Sequence, residues 1–282
     1  MKYDFIVVGA GFFGATVARQ ITDAGKTCMV IDKNDHVAGM SYTENMHGIN
    51  VHIKGAHIVH TNSKKVWDLC KTLDHTIIEP VPSLFTFNIK DKRIIDLGGI
   101  SVPNTEVSLV GTNLENSGPL LITHWGLSGP AILKLSAFGA RILADKNYQY
   151  NVLVNWLGQD TNSVLEELQG LKKSQAKKQI FLKSPFSDIP RRLWERLVTA
   201  SEIKNNQNWA DISNKQLQNL ANELTKGLFN ANGRTTFKEE FVTAGGVDLK
   251  EINFKRFESK KHQNLFFVGE VLNIDAVCCG FS

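Results

Sequence analysis

A chain of 282 residues, 42% of them apolar, is long enough for about two domains of roughly 150 residues, each with a real core. Charged residues at 21% exclude intrinsic disorder, and no apolar run reaches the ~18 residues of a membrane-spanning helix. Lys and Arg number 32 against 28 Asp and Glu; residues 1–75 hold 8 basic and 7 acidic side chains and the rest 24 and 21, an even spread that argues against a nucleic-acid partner.

Tyr3 to Val8, rich in Ile and Val and closed by Gly9, reads as a buried strand of a parallel sheet. Helical spacing then runs from Phe13 to Ala24, Gly25 stops it, and Thr27 to Ile31 forms a second strand ending at Asp32. The result is a βαβ unit. From Val37 to Thr61 glycine and histidine are frequent, which reads as loops with one short strand near Ile49 to Ile53; Lys64 to Leu73 is helical. Residues 80–118 break into short β segments around Leu84–Ile89 and Val107–Val110. After Leu120–Thr123, Gly129-Pro130 opens a helix from Ala131 to Leu143.

Tyr148 to Trp156 alternates like a strand, and helices follow near 161–171, 190–202 and 213–226, with Thr161 and Ser213 as caps. The end returns to strands at Thr235–Phe241 and Leu265–Val268, the latter closed by Gly269-Glu270. The fold class expected is α/β: a Rossmann-like domain with a βαβ start and a C-terminal return, interrupted by a mixed α/β second domain. The expected boundaries are 1–80 with 242–282 for the first domain and 81–241 for the inserted substrate or cap domain.

Gly9, Gly11 and Gly14 form G-x-G-x-x-G directly after a strand and at a helix start. Gly9 permits the turn, Gly11 lets backbone approach a pyrophosphate, Gly14 lets helix pack on strand, and the helix N-terminus offers free N–H groups to the anion. The contacts expected along this turn are Gly9, Ala10, Gly11, Phe12, Phe13 and Gly14. At the end of the second strand come Asp32, accepting hydrogen bonds from the ribose hydroxyls, and Lys33 beside it. A carboxylate there repels a 2′-phosphate, which favours FAD or NAD over NADP. With no second fingerprint and a Gly-Glu after a late apolar strand, FAD is the cofactor expected.

Other constellations carry less. Six of the eight histidines lie between 36 and 75 without a zinc-type spacing, so no metal site is expected. Gly126-Leu-Ser128-Gly-Pro is not G-x-S-x-G, and a helix start explains its Gly-Pro. Lys172-Lys173 with Lys177-Lys178, and Lys255-Arg256 with Lys260-Lys261, read as solvated surface. Cys28, Cys70, Cys278 and Cys279 have no C-x-x-C spacing, which with the lack of a cleavage site points to reduced thiols in the cytoplasm. No membrane association is expected.

Two resemblances cover different parts of the chain. Residues 3 to about 70 resemble the N-terminus of UDP-galactopyranose mutases through Tyr3-Asp-Phe-Ile-Val-Val-Gly-Ala-Gly11, His36-Val-Ala-Gly39-Met-Ser-Tyr-Thr43 and Gly55-Ala-His-Ile-Val-His-Thr-Asn62. This implies flavin contacts at Gly39, His57 and His60, although Ala38 and Met40 stand where that family has Gly and Asn. From about His75 onward the chain resembles the aminoacetone oxidase family of BaiN-like FAD-dependent oxidoreductases. The stretches are His75-Thr-Ile-Ile-Glu-Pro-Val-Pro-Ser-Leu84, Thr123-His-Trp-Gly-Leu-Ser-Gly-Pro130, Thr243-Ala-Gly-Gly-Val247 and Leu265-Phe-Phe-Val-Gly-Glu-Val-Leu-Asn-Ile-Asp275. That resemblance implies a second FAD-contacting segment at Gly269, Glu270 and Asp275.

The two meet at a join near Cys70–Asp74. Cys279 replaces a glycine of the second family, and Ser282 falls before that family's terminal helix. The function expected is an FAD-dependent oxidoreductase acting on a small-molecule substrate, with NAD(P)H as a visiting donor. The alternatives are a degenerate flavin-binding fusion and a mutase-like isomerase. No motif places a catalytic residue.

Overall fold

The computed structural model describes residues 2–39, 42–46, 49–52, 64–235 and 242–274. It divides into two units, Met1–Ser83 with Phe237–Ser282, and Leu84–Thr236.

The first unit opens with β1 (Phe5–Val8), α1 (Phe12–Asp23) and β2 (Cys28–Ile31). The strands are parallel, with Phe5 opposite Cys28 and Val8 opposite Ile31. Burial of this strand was expected and is corrected: no residue of β1, α1 or β2 is buried, and Ile6 and Val8 are 64% and 70% exposed. Parallel strands are normally covered on both faces by neighbours and crossover helices. Among the described residues β1 pairs with β2 alone, so that cover is missing.

Next come β3 (Thr43–Met46) and β4 (Ile49–His52), an antiparallel pair where one strand was expected. α2 (Lys64–Thr72) follows as expected, and β5 (Ile77–Ser83) does not. Pro80 and Pro82 argue against a strand, but β5 has a single partner, and proline is tolerated where an N–H faces no neighbour.

The second unit contains β6 (Thr86–Asn88), β7 (Ser101–Leu109), β8 (Glu115–Ile122), β9 (Gly126–Ser128), α3 (Pro130–Phe138), α4 (Ala140–Asp145), β10 (Gln149–Asn155), α5 (Thr161–Ser174), α6 (Arg191–Ala200), α7 (Asn214–Thr225), β11 (Gly227–Asn232) and β12 (Arg234–Thr235). Its seven strands form one sheet in the order β11-β10-β7-β8-β9-β6-β12, every neighbouring pair antiparallel. Between β11 and β12, Gly233 donates to the Tyr148 carbonyl at 2.8 Å and accepts from the Asn88 amide at 3.2 Å. The two ends of the sheet are therefore continuous chain, and the sheet closes as a barrel.

Alternation fills its interior: Tyr150, Val152 and Val154 of β10 and Phe229 and Ala231 of β11 are buried, their neighbours in sequence turned outward. The helix expected over Ala131 to Leu143 is two helices, broken at Gly139. The cap assigned to Thr161 belongs to Asp160, whose carboxylate accepts from the Asn162 and Ser163 amides; Ser213 caps α7 as expected.

The chain then returns to the first unit with β13 (Val242–Val247), antiparallel to β5, and the short pair β14 (Ile252–Asn253) and β15 (Glu258–Ser259). Of the strand expected over Thr235–Phe241, Thr235 lies in β12 and 236–241 fall outside the described residues. The strand expected over Leu265–Val268 is corrected to a single bridge between Glu258 and Phe266. Phe257 at φ +55° and Asn264 at φ +64° bend the flanking chain out of extended conformation.

The large core, from Phe85 to Ala231, belongs to the second unit. That of the first unit is small: Cys70, Val247, Ile252, Phe267 and Leu272.

Candidate functional site

The glycine turn connects β1 to α1. Gly9, at φ +103°, makes a turn that L side chains rarely adopt. A Cβ on Gly14 would stand 1.8 Å from the Gly9 carbonyl oxygen, so only glycine lets the helix lie this close to the strand. A Cβ on Gly11 would meet nothing within 4 Å. Gly11 is the N-cap of α1 and offers no capping side chain, so the Phe12, Phe13 and Gly14 amides lack intrahelical partners. Open space beside free N–H groups at a helix N-terminus suits a pyrophosphate.

Asp32 closes one side. Its Oδ2 accepts from the Ala10 amide at 2.6 Å, and its Oδ1 accepts from the Asn34 amide and side chain at 2.8 and 2.9 Å. Burial opposes the charged form, but these hydrogen bonds and neighbouring Lys33 outweigh it and hold the carboxyl below its usual range. Asp32 thus orders the turn through Ala10 and stays an anion, with lone pairs left for hydroxyl donors.

Two further segments bear on this turn. The Ala38 amide bonds the Ala10 carbonyl at 2.8 Å, and a Cβ on Gly39 would lie 3.3 Å from Gly11 Cα. A Cβ on Gly269 would touch the Phe13 ring at 3.4 Å. The structure therefore brings Gly9, Ala10, Gly11, Phe13, Gly14, Asp32, Gly39 and Gly269 together. Phe12 and Lys33 lie on the exposed side. Glu270 follows Gly269 in a short 3-10 turn. His57, His60, Met40, Asp275, Cys278 and Cys279 lie outside the described residues.

Sequence reasoning missed a second constellation in the same unit. The His75 side chain is 0% exposed, with Nδ1 2.8 Å from Glu251 Oε2 and Nε2 3.0 Å from Ser259 Oγ. Ser259 Oγ already accepts from the Lys261 and His262 amides, so its proton points to Nε2, and the ring donates from Nδ1 to the carboxylate. Glu251 also accepts from Thr76 and pairs with Lys261 at 2.9 Å. Burial opposes its charge, yet the bonds from Lys261, Thr76 and His75 hold its carboxyl at about 2. His262 Nε2 approaches the Leu73 carbonyl at 2.7 Å, and Lys261 donates to the Asp74 carbonyl.

The order Ser-His-Glu resembles a nucleophilic triad, but Ser259 is 6% exposed and its oxygen is engaged by two backbone donors. It ties the end of α2 to the C-terminal segment across the join at Cys70–Asp74. Nothing local in the sequence signals it, because His75 and Ser259 are 184 residues apart.

The Thr123–Pro130 motif is also structural. A Cβ on Gly126, at φ +144°, would lie 2.2 Å from the Phe87 carbonyl oxygen, so glycine lets β9 cross β6. Ser128 Oγ is 9% exposed and accepts from Thr86 at 2.8 Å.

Comparison with known proteins fits this division. The model of the HI0933-like protein barrel and H2TH domain matches residues 81–242, and that of the NAD(P)-binding Rossmann-like domain matches 7–73. A ribosomal RNA dihydrouridine synthase of Haemophilus influenzae is 32% identical over 208 residues, 73% of this chain and 49% of that protein. A 3-dehydro-bile acid delta(4,6)-reductase of Clostridium scindens is 25% identical over 219 residues, 76% and 53% of the two chains. A probable UDP-galactopyranose mutase of Klebsiella pneumoniae is 40% identical over 67 residues, 23% of this chain and 17% of that protein.

The chain spans about half the length of the first two relatives. Both resemblances seen in the sequence are therefore found, and they support an FAD-dependent flavoprotein within a family of FAD- and NAD(P)-binding oxidoreductases. The exclusion of nucleic acid finds no support, since two relatives are named for ribosomal RNA. Among the described residues, no helix is long and apolar enough to cross a membrane.

Proposed function

Because the chain belongs to the HI0933-like family, with that family's barrel and H2TH domain over residues 81–242, we propose that it is an FAD-dependent oxidoreductase acting on a base within RNA. The observation that carries the cofactor assignment is the glycine turn, with open space at Gly11, free amides at the start of α1, and Gly39 and Gly269 packed against it. Residues 1–80 with 242–282 hold the dinucleotide, and 81–241 form the substrate domain.

Gly11, Phe12, Phe13 and Gly14 present their amides to the pyrophosphate. Asp32 accepts from the adenosine ribose, which favours FAD over a 2′-phosphorylated nucleotide. Gly39, His57, His60, Gly269, Glu270 and Asp275 complete the cofactor contacts, and Lys33 lies at the rim. Flavin held there would supply hydride chemistry, with NAD(P)H, visiting rather than resident, as the donor.

RNA is favoured as substrate by the 32% identity to the ribosomal RNA dihydrouridine synthase and by the charge of the second unit. Residues 84–236 hold 18 Lys and Arg against 13 Asp and Glu, and the remainder of the chain 14 against 15. A mutase reading has support from matches over 65 to 69 residues, within the cofactor-binding segment.

The test is purification of the full chain, its visible absorption spectrum and titration with FAD. Gly11→Ala should fold and bind FAD at least tenfold more weakly, because the methyl group enters the pyrophosphate's space. Gly14→Ala should also lose helical signal, because its Cβ collides with Gly9. A colourless wild-type protein that takes up no added FAD would reject the assignment.

A further inference from the structure

Within the second unit, a cleft of about 700 Å³ is lined by Asp91, Lys92 and Arg93, by Arg196 and Thr199 of α6, by Asn222 and Glu223 of α7, and by Lys226 and Leu228. Its charges fall into two groups. Arg93 is 13% exposed and fully engaged. It reaches Asp91 through two nitrogens at 2.9 and 2.8 Å, Glu223 at 2.7 Å and the Leu228 carbonyl, and lies over the Phe229 ring at 3.9 Å. Both carboxylates of the cleft are therefore committed to one buried guanidinium.

The side chains of Lys92, Arg196 and Lys226 have no hydrogen bond or ion pair among the described residues. Lys92 and Lys226 are exposed and Arg196 is half-buried. Leu228, 51% exposed, adds an apolar surface beside them. Three unneutralised cations around an open cleft, on the unit that carries the chain's excess positive charge, form an anion site whose own acids have been turned away.

We propose that this cleft binds the phosphodiester backbone of single-stranded RNA, with Lys92, Arg196 and Lys226 on successive phosphates and Leu228 against a ribose or base. The proposal rests on the RNA reading above and names the surface that holds the strand. Phosphate contacts position a nucleic acid without reading its sequence.

The test is fluorescence anisotropy of a labelled short single-stranded RNA with the full chain across a KCl titration. Arg196→Gln with Lys226→Gln should weaken binding roughly tenfold and flatten the salt dependence by about 0.7 per cation removed. Lys92→Gln, at an exposed position, should do the same in smaller measure if the double variant fails to fold. Lys173→Gln with Lys178→Gln removes the same charge from exposed positions outside the cleft and should leave binding nearly unchanged.

Equal weakening by the two double variants would reduce the effect to net charge and overturn the cleft. So would wild-type protein that binds no RNA, or that binds ADP while ignoring RNA. The flavin spectrum of the same samples is read separately: equal weakening in a yellow protein refutes the cleft alone, a yellow protein without RNA binding refutes the RNA reading together with the cleft, and a colourless one refutes the cofactor assignment.

Discussion

Tyr150 and Trp156 point into the barrel, 7% and 0% exposed, packed edge-on against Phe87 at 4.9 Å and Phe229 at 5.9 Å. Among the described residues, the Tyr150 hydroxyl and the Trp156 indole nitrogen have no hydrogen-bond partner, and burial drives the Tyr150 hydroxyl well above its usual range. An unsatisfied buried hydroxyl costs about 1–3 kcal/mol. Tyr150→Phe keeps the ring and removes that cost, so it should leave the melting temperature unchanged or raise it; a clear drop would mean that the hydroxyl has a partner. The alternation read over Tyr148 to Trp156 sets both side chains on one face, but periodicity carries no record of whether a polar atom at the end of a ring is satisfied.

At the scale of elements, the start of α5 shows how one position of sequence changes a mechanism. Asp160 makes the capping bonds, while Thr161 Oγ1 is 2.9 Å from Thr225 Oγ1 on α7. Asp160→Ala should lower the midpoint of chemical denaturation, and an unchanged midpoint would refute the capping role. The tie between α2 and the C-terminal segment gives a pH signature. The Glu251 carboxyl is depressed from 4.5 to about 2 in the folded state, so its contribution is complete above pH 4.5 and is lost as pH falls toward 2. Glu251→Gln should be less stable at neutral pH and lose less on acidification over that window. Parallel stability profiles for the two proteins would contradict the linkage.

For the whole molecule, the two units differ in how much apolar surface they bury. The second has a closed barrel and a continuous core, whereas β1, α1 and β2 of the first bury nothing. Calorimetry should resolve two transitions, and added FAD should raise only the one belonging to the first unit, because a ligand stabilises the state that binds it. A single transition that moves as a whole with FAD would show that the units unfold together. The charge follows the same division. Counted from the N-terminus it looks even, and only the unit boundary at Leu84 and Thr236 reveals that the excess belongs to the barrel unit.

The linear chain settled what depends on near neighbours. The turn of Gly9, Gly11 and Gly14, the start of α3 at Gly129-Pro130 and the cap at Ser213 follow from backbone freedom and hydrogen bonding within a few residues. Closure of the barrel through Gly233, the buried set of His75, Glu251 and Ser259, and the commitment of Glu223 to Arg93 join residues 85 to 184 positions apart. Such pairings gain their free energy only once the backbone has brought the partners into reach. No local pattern encodes them, and tertiary structure alone decided them.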